Sequence, residues 1–245
     1  MLKKIIIPII ILGSLIISCD SSSSDVAKEY DTRAVTVLDS LSSTIGGLKS
    51  CSFSLNTKFS AKDSNKLLFV ESDIYMKGPD KMYIHSEGDR GEKGYWYNGK
   101  QLAFLNYDKS TYDTIPAPTN IISTIDLVHN KYGVDFPAGD FFYPSLTDDI
   151  MENYNKVYYI GDVEIDDTKC VAISATNEEE SLYIWVKKDT YLPYKMVIIQ
   201  KEESSKTFES IFSNWVVNPN LPDILFKFTP RPTSKRIKLM PKKKK

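Results

Sequence analysis

Two histidines, His85 and His129, and three cysteines, none in a CxxC pair, are all that 245 residues offer for metal ligation. Zinc sites need such ligands clustered, so zinc is not expected. No GxSxG, HExxH, Walker-type loop or GxGxxG occurs, which removes the common hydrolase, metalloprotease and nucleotide signatures. The acidic pairs Asp148-Asp149 and Asp166-Asp167 are adjacent residues. Neighbours in a strand point to opposite faces, so these read as solvated turns rather than catalytic dyads. Glu178-Glu179-Glu180 reads the same way, and His129 suits the C-terminal end of a helix. No repeat of fixed period is present. With no acid, base, nucleophile or metal constellation in view, neither enzymatic activity nor a cofactor is expected.

A membrane-spanning run is missing too. The longest apolar stretch, Ile5 to Ile17, has 13 residues, against about 20 for a helical span. It follows Lys3 and Lys4 and leads into Leu15-Ile16-Ile17-Ser18-Cys19. A charged start, a short greasy run and a small residue before cysteine make a secretory signal ending in a lipobox. Residues 1–18 are therefore expected to be removed and Cys19 to be acylated. Residues 19–32, with Asp20-Ser21-Ser22-Ser23-Ser24-Asp25, read as a flexible tether. Each buried methylene adds about 0.8 kcal/mol, so two or more chains hold a protein on a membrane.

The net charge of −1 conceals a division. Arg231 to Lys245 holds eight basic residues and no acidic one; setting that tail and the two signal lysines aside leaves 21 basic against 32 acidic residues. An acidic body of this kind excludes nucleic-acid binding, which requires a basic face. The tail 231–245 reads as a disordered basic end or as a contact for anionic headgroups. Cys51 and Cys170 lie in separate strands and read as two buried thiols rather than a pair.

The remaining pattern is mostly of period two. Ala34, Val37, Leu38, Leu41 and Ile45 first form one helical stripe between an Asp31 or Thr32 cap and Gly46-Gly47. Then Cys51, Phe53, Leu55 and Phe59 alternate with polar residues as a half-buried antiparallel strand. Further strands are expected at 67–77, 81–87, 94–97, 102–107 and 111–115, with Asn98-Gly99 as a type I′ turn. Pro116-Ala117-Pro118 stops this meander. A second helix runs from a Thr119 or Asn120 cap to Gly133, followed by the aromatic loop Phe141-Phe142-Tyr143 and a short helical turn at 146–151. Strands resume at 157–165, 169–176, 181–187, 194–201, 207–217 and 225–229.

About eleven neighbouring antiparallel strands do not stay flat, because strand twist accumulates. The expected fold class is mainly β with two to three helices: a curled, incompletely closed sheet with helices over its concave face. Such a cup leaves an apolar cavity. Phe53, Leu55, Trp96, Ile125, Phe141 and Phe142 are its candidate lining residues.

Several short motifs carry a family resemblance: Asp39-Ser40-Leu41, Gly88-Asp89-Arg90, Tyr97-Asn98-Gly99-Lys100, Thr114-Ile115-Pro116-Ala117-Pro118 and Tyr132-Gly133-Val134-Asp135-Phe136-Pro137. Trp215, Leu221-Pro222-Asp223 and Phe226-Lys227-Phe228-Thr229-Pro230 complete the set. Together these resemble the "predicted periplasmic protein" family, a domain of unknown function similar in fold to the lipoprotein carriers LolA and LolB. The match covers residues 33–230 as one domain. It implies a half-barrel around a cavity for acyl chains, and the anchor makes the chain more like LolB. No carrier residue transfers to a position here. The resulting expectation is a monomeric, non-enzymatic lipoprotein of the bacterial cell envelope, on the outer membrane, binding lipid or lipoprotein acyl groups. The rival is a structural lipoprotein that binds a protein partner through its sheet edge or aromatic loop.

Overall fold

The computed structural model describes residues 28–61, 66–136, 138–202 and 206–242. The signal segment, Cys19 and the tether as far as residue 27 lie outside them, whereas residues 28–32, expected as the end of the tether, are part of the fold. The chain begins with a two-residue strand β1 (Glu29–Tyr30) and helix α1 (Thr32–Gly46). Asp31 caps α1, its carboxylate accepting from the Arg33 amide at 2.9 Å. Ala34, Leu38, Leu41 and Ile45 form the buried stripe.

Six antiparallel strands follow: β2 (Ser50–Ser60), β3 (Leu67–Lys77), β4 (Lys81–Gly88), β5 (Lys93–Tyr97), β6 (Gln101–Asn106) and β7 (Thr111–Pro116). Helix α2 (Ile121–Tyr132), a 3-10 turn (Gly139–Phe142) and helix α3 (Leu146–Asn153) then lead to the second series. That series is β8 (Lys156–Ile165), β9 (Thr168–Thr176), β10 (Glu180–Lys187), β11 (Pro193–Gln200) and β12 (Thr207–Val217). A two-residue strand β13 (Lys235–Arg236) comes last.

All of them form one sheet, in the order β1-β8-β9-β10-β11-β12-β2-β3-β4-β5-β6-β7-β13. The two meanders join in the middle through β12 and β2, where Phe212 faces Leu55 and Phe208 faces Phe59. Strands β7 and β8 lie toward opposite ends of this order, so the sheet does not close. The helical segment between them crosses the concave face and places Ile121, Ile125, Val128, Phe141, Leu146 and Ile150 in the same core as the strands. Inward residues of β2 bury Cys51, Phe53, Leu55 and Thr57. Where an inner position is polar, hydroxyls satisfy one another: Thr57 with Ser210 at 3.0 Å and Ser72 with Ser86 at 2.7 Å.

Three expectations need correction. The Asn98-Gly99 connection is not type I′. Only Gly99 has positive φ (83°), and the Asn98 side chain accepts from the amides of Lys100 and Gln101. Both residues of Asp166-Asp167 have positive φ instead, 46° and 62°. Residues 225–229 are not a strand; Asp223–Phe226 is a 3-10 turn. The tail is ordered as far as residue 242, since Lys235 and Arg236 pair in parallel with Thr111 and Tyr112 of β7. Its apolar Ile237 and Leu239-Met240 give it something to pack, which its charge alone hides. Cys51 and Cys170 are free and buried, in strands separated by three others; burial pushes the Cys51 thiol up to about 12.

Candidate functional site

At the deep end of the concave face the side chains meet and leave no room. Phe53 stacks on Trp215 with centroids 4.2 Å apart and on Phe142 at 6.0 Å; Phe212 lies 5.8 Å from Phe53 and 5.4 Å from Phe141. A bulge in β12 makes this possible. The register shifts between Ser213 and Val216, Asn214 takes a φ of 54°, and Trp215 turns onto the Phe53 face. Phe53, Leu55, Ile125 and Phe141 are buried members of this core, and Phe142 packs against it. These five candidate residues therefore share one core, and none of them lines the pocket described below.

Trp96 is on the other face. Tyr95 and Tyr97 of β5 point into the core, so Trp96 points out. There it stacks on Tyr83 at 5.0 Å and is covered by Phe228 at 5.0 Å.

A mainly apolar hollow lies at the β5–β7 side of the cup. It has a volume of about 210 Å³ and is partly open, lined by Tyr95, Leu102, Phe104, Ile115, Val128, Tyr132 and Val134, with Lys93, Leu239 and Met240. Three elements build it. Alternation in β5, β6 and β7 aims Lys93, Tyr95, Leu102, Phe104 and Ile115 inward. The last two turns of α2 supply Val128 and Tyr132, and Gly133, at φ 65°, ends that helix in the left-handed conformation few other residues accept. The C-terminal segment supplies the third wall. Its path starts on the outer face, where Lys77 donates to the Leu221 carbonyl at 3.2 Å and Phe228 covers Trp96 and Tyr112. It rounds the β7 edge through β13, and Lys242 reaches α2, its amide donating to the Lys131 carbonyl at 2.8 Å.

Asp113 fastens this strap. The carboxylate is buried, accepts the Leu239 amide at 2.9 Å and lies 3.5 Å from the Arg236 guanidinium. Within the pocket, burial pushes the Tyr95 phenol up to about 12 and draws the Lys93 ammonium below its ordinary value. Periodicity marks Tyr95, Leu102, Phe104 and Ile115 as inward. Nothing in the sequence shows that the strap reaches them.

The histidines sit apart from the pocket wall: His85 Nε2 lies 2.9 Å from Glu92 Oε1, and His129 Nδ1 lies 2.5 Å from Asp135 Oδ1. Among the described residues, no three His, Cys, Asp or Glu side chains are grouped to hold a metal, and no helix is long and apolar enough to cross a membrane.

An unclosed antiparallel half-barrel with helices in its concave face is thus the class to which the architecture assigns the molecule. The family described as "Predicted periplasmic protein (DUF2092)" matches residues 34–240, and the chain belongs to it. Curated proteins gave no match. Among solved structures the chain is similar to the lipoprotein LppX of Mycobacterium tuberculosis, at 13% identity over 76% of this chain and 96% of that one, with a TM-score of 0.49. A LolA superfamily protein of Nitrosomonas europaea shares 11% identity over 80% of this chain and 97% of its own, with a TM-score of 0.37. The Pseudomonas aeruginosa MucA/MucB complex shares 10% identity over 80% of this chain and 61% of that chain, with a TM-score of 0.46. At these identities and scores, ligand and partner must be argued from this chain's own residues.

Proposed function

We propose that this protein is a non-enzymatic envelope lipoprotein, tethered through acylated Cys19 to the outer membrane, that binds one apolar chain of a lipid or lipoprotein. The observation that carries this reading is the hollow at the β5–β7 side. The deep core is filled by its own aromatics, yet this corner keeps about 210 Å³ between apolar walls. That is less than the roughly 300 Å³ at which ordinary ligand sites begin, and suits a single chain rather than several. The rival partner-binding reading draws less support, because Phe141 of the aromatic loop is buried.

Every core residue lies within residues 34–226, so the chain from residue 20 onward keeps the whole fold. Titrating it with the neutral fluorophore N-phenyl-1-naphthylamine tests the reading. Saturable binding at one site is expected, weakened by about tenfold or more when Ile115→Trp fills the pocket. No saturable binding, or equal binding by a folded Ile115→Trp variant, would discard it.

A further inference from the structure

Lys93 is out of character with its position. It occupies the inward register of β5, two residues from Tyr95 and four from Tyr97, and it lines the apolar pocket. Lys93 is half-buried there, where lysine more often stands fully in water. Among the described residues it makes no ion pair. The charges that act on it are mixed: Arg90 and Lys109 repel it and Asp108 attracts it. Asp108 is itself engaged, accepting the Glu92 amide at 3.0 Å. At the α2 side of the same pocket, Lys131 stands beside Tyr132, and Lys242 donates to the His129 carbonyl at 3.4 Å. Asp113, the acidic latch of the strap, is turned to Arg236 and Leu239.

Building on the apolar-chain reading above, we infer that the pocket selects an amphiphile with one acyl chain and an anionic head, the head held by the Lys93 ammonium. The chain lies against Tyr95, Leu102, Phe104, Ile115 and Val128, and Leu239-Met240 cover it from the strap. Partial burial makes the isolated Lys93 charge costlier, which is why its pKa is lowered, and so raises the gain from a partner anion. A bare surface lysine whose stem merely covers apolar wall would show no such selectivity.

The chain from residue 20 onward is titrated calorimetrically with decanoate, decyl phosphate, decanol and decyltrimethylammonium, each below its micelle concentration. Decanoate or decyl phosphate should bind about tenfold or more tighter than decanol, and decyltrimethylammonium weakest. The preferred anion then identifies a carboxylate or a phosphate head. In Lys93→Gln the anion preference should vanish while decanol affinity holds, and Lys93→Arg should restore it. Equal affinities for anion and alcohol, or an undiminished anion preference in Lys93→Gln, would overturn the assignment while leaving the pocket intact. Absence of binding by all four probes would instead overturn the apolar-chain reading on which it rests.

Discussion

Individual side chains divide into those that fill the cup and those that leave it open. Phe53 belongs to the first group. It is wedged between Phe142, Phe212 and Trp215, so Phe53→Ala should cost about 3–5 kcal/mol in chemical denaturation. Affinity for a pocket probe should change little, because Phe53 is not in the pocket wall. Asp140 poses a different problem. In the 3-10 turn between the helices, burial raises its carboxyl from an ordinary 3.8 to about 6. The folded chain therefore holds this proton more tightly than the unfolded chain does. Its stabilising contribution is complete below about pH 4 and is lost as pH rises through about 6. Asp140→Asn should leave the denaturation midpoint at pH 4 nearly unchanged and raise stability at pH 7.5 by about 1–3 kcal/mol. A variant no more stable at pH 7.5 would show that the carboxylate is well solvated there.

Elements with a strict period were the ones the sequence revealed best. β3 and β12 fall on the expected residues, and α2 starts at its Asn120 cap and ends at Gly133. What escaped were features created by tertiary contact. The β12 bulge that turns Trp215 inward depends on Phe53 opposite it, and one strand's alternation does not announce an extra residue. Residues 225–229 have a strand-like composition, but Phe226 is buried and Phe228 packs onto the outer face of the sheet instead of the segment joining its edge. The strap looked like a charged tail because its apolar residues are few and its latch, Asp113, lies more than a hundred positions earlier. Deleting residues 232–245 should uncover the β7 edge. Hydrogen exchange of β7 amides and of the last turn of α2 should then rise by about tenfold or more, while β2 amides stay protected. Uniform exchange across β2 and β7 in the deletion variant would mean that the strap supports the entire sheet.

For the molecule as a whole, the curled sheet was legible because eleven neighbouring strands have few other ways to bury one face. The position of its hollow was not. Phe53, Leu55, Ile125, Phe141 and Phe142 are the large apolar residues that a sequence offers as cavity lining, and large residues are also what a core packs shut. The space left over depends on how the helical segment and strap meet β5 to β7. The proposed membrane anchor belongs to the other end of the chain. Cys19→Ala should release the protein from the membrane fraction and abolish labelling by a palmitate analogue; unchanged sedimentation without label would remove the anchor.

Native mass spectrometry of the chain from residue 20 onward, incubated with a detergent-free envelope lipid extract and repurified, bears most directly on the pocket. A single adduct with the mass of one acyl-bearing molecule is predicted, lost in Ile115→Trp. A bare polypeptide mass under conditions that preserve the fold, or an adduct equally abundant in Ile115→Trp, would contradict a ligand held between β5–β7, α2 and the strap.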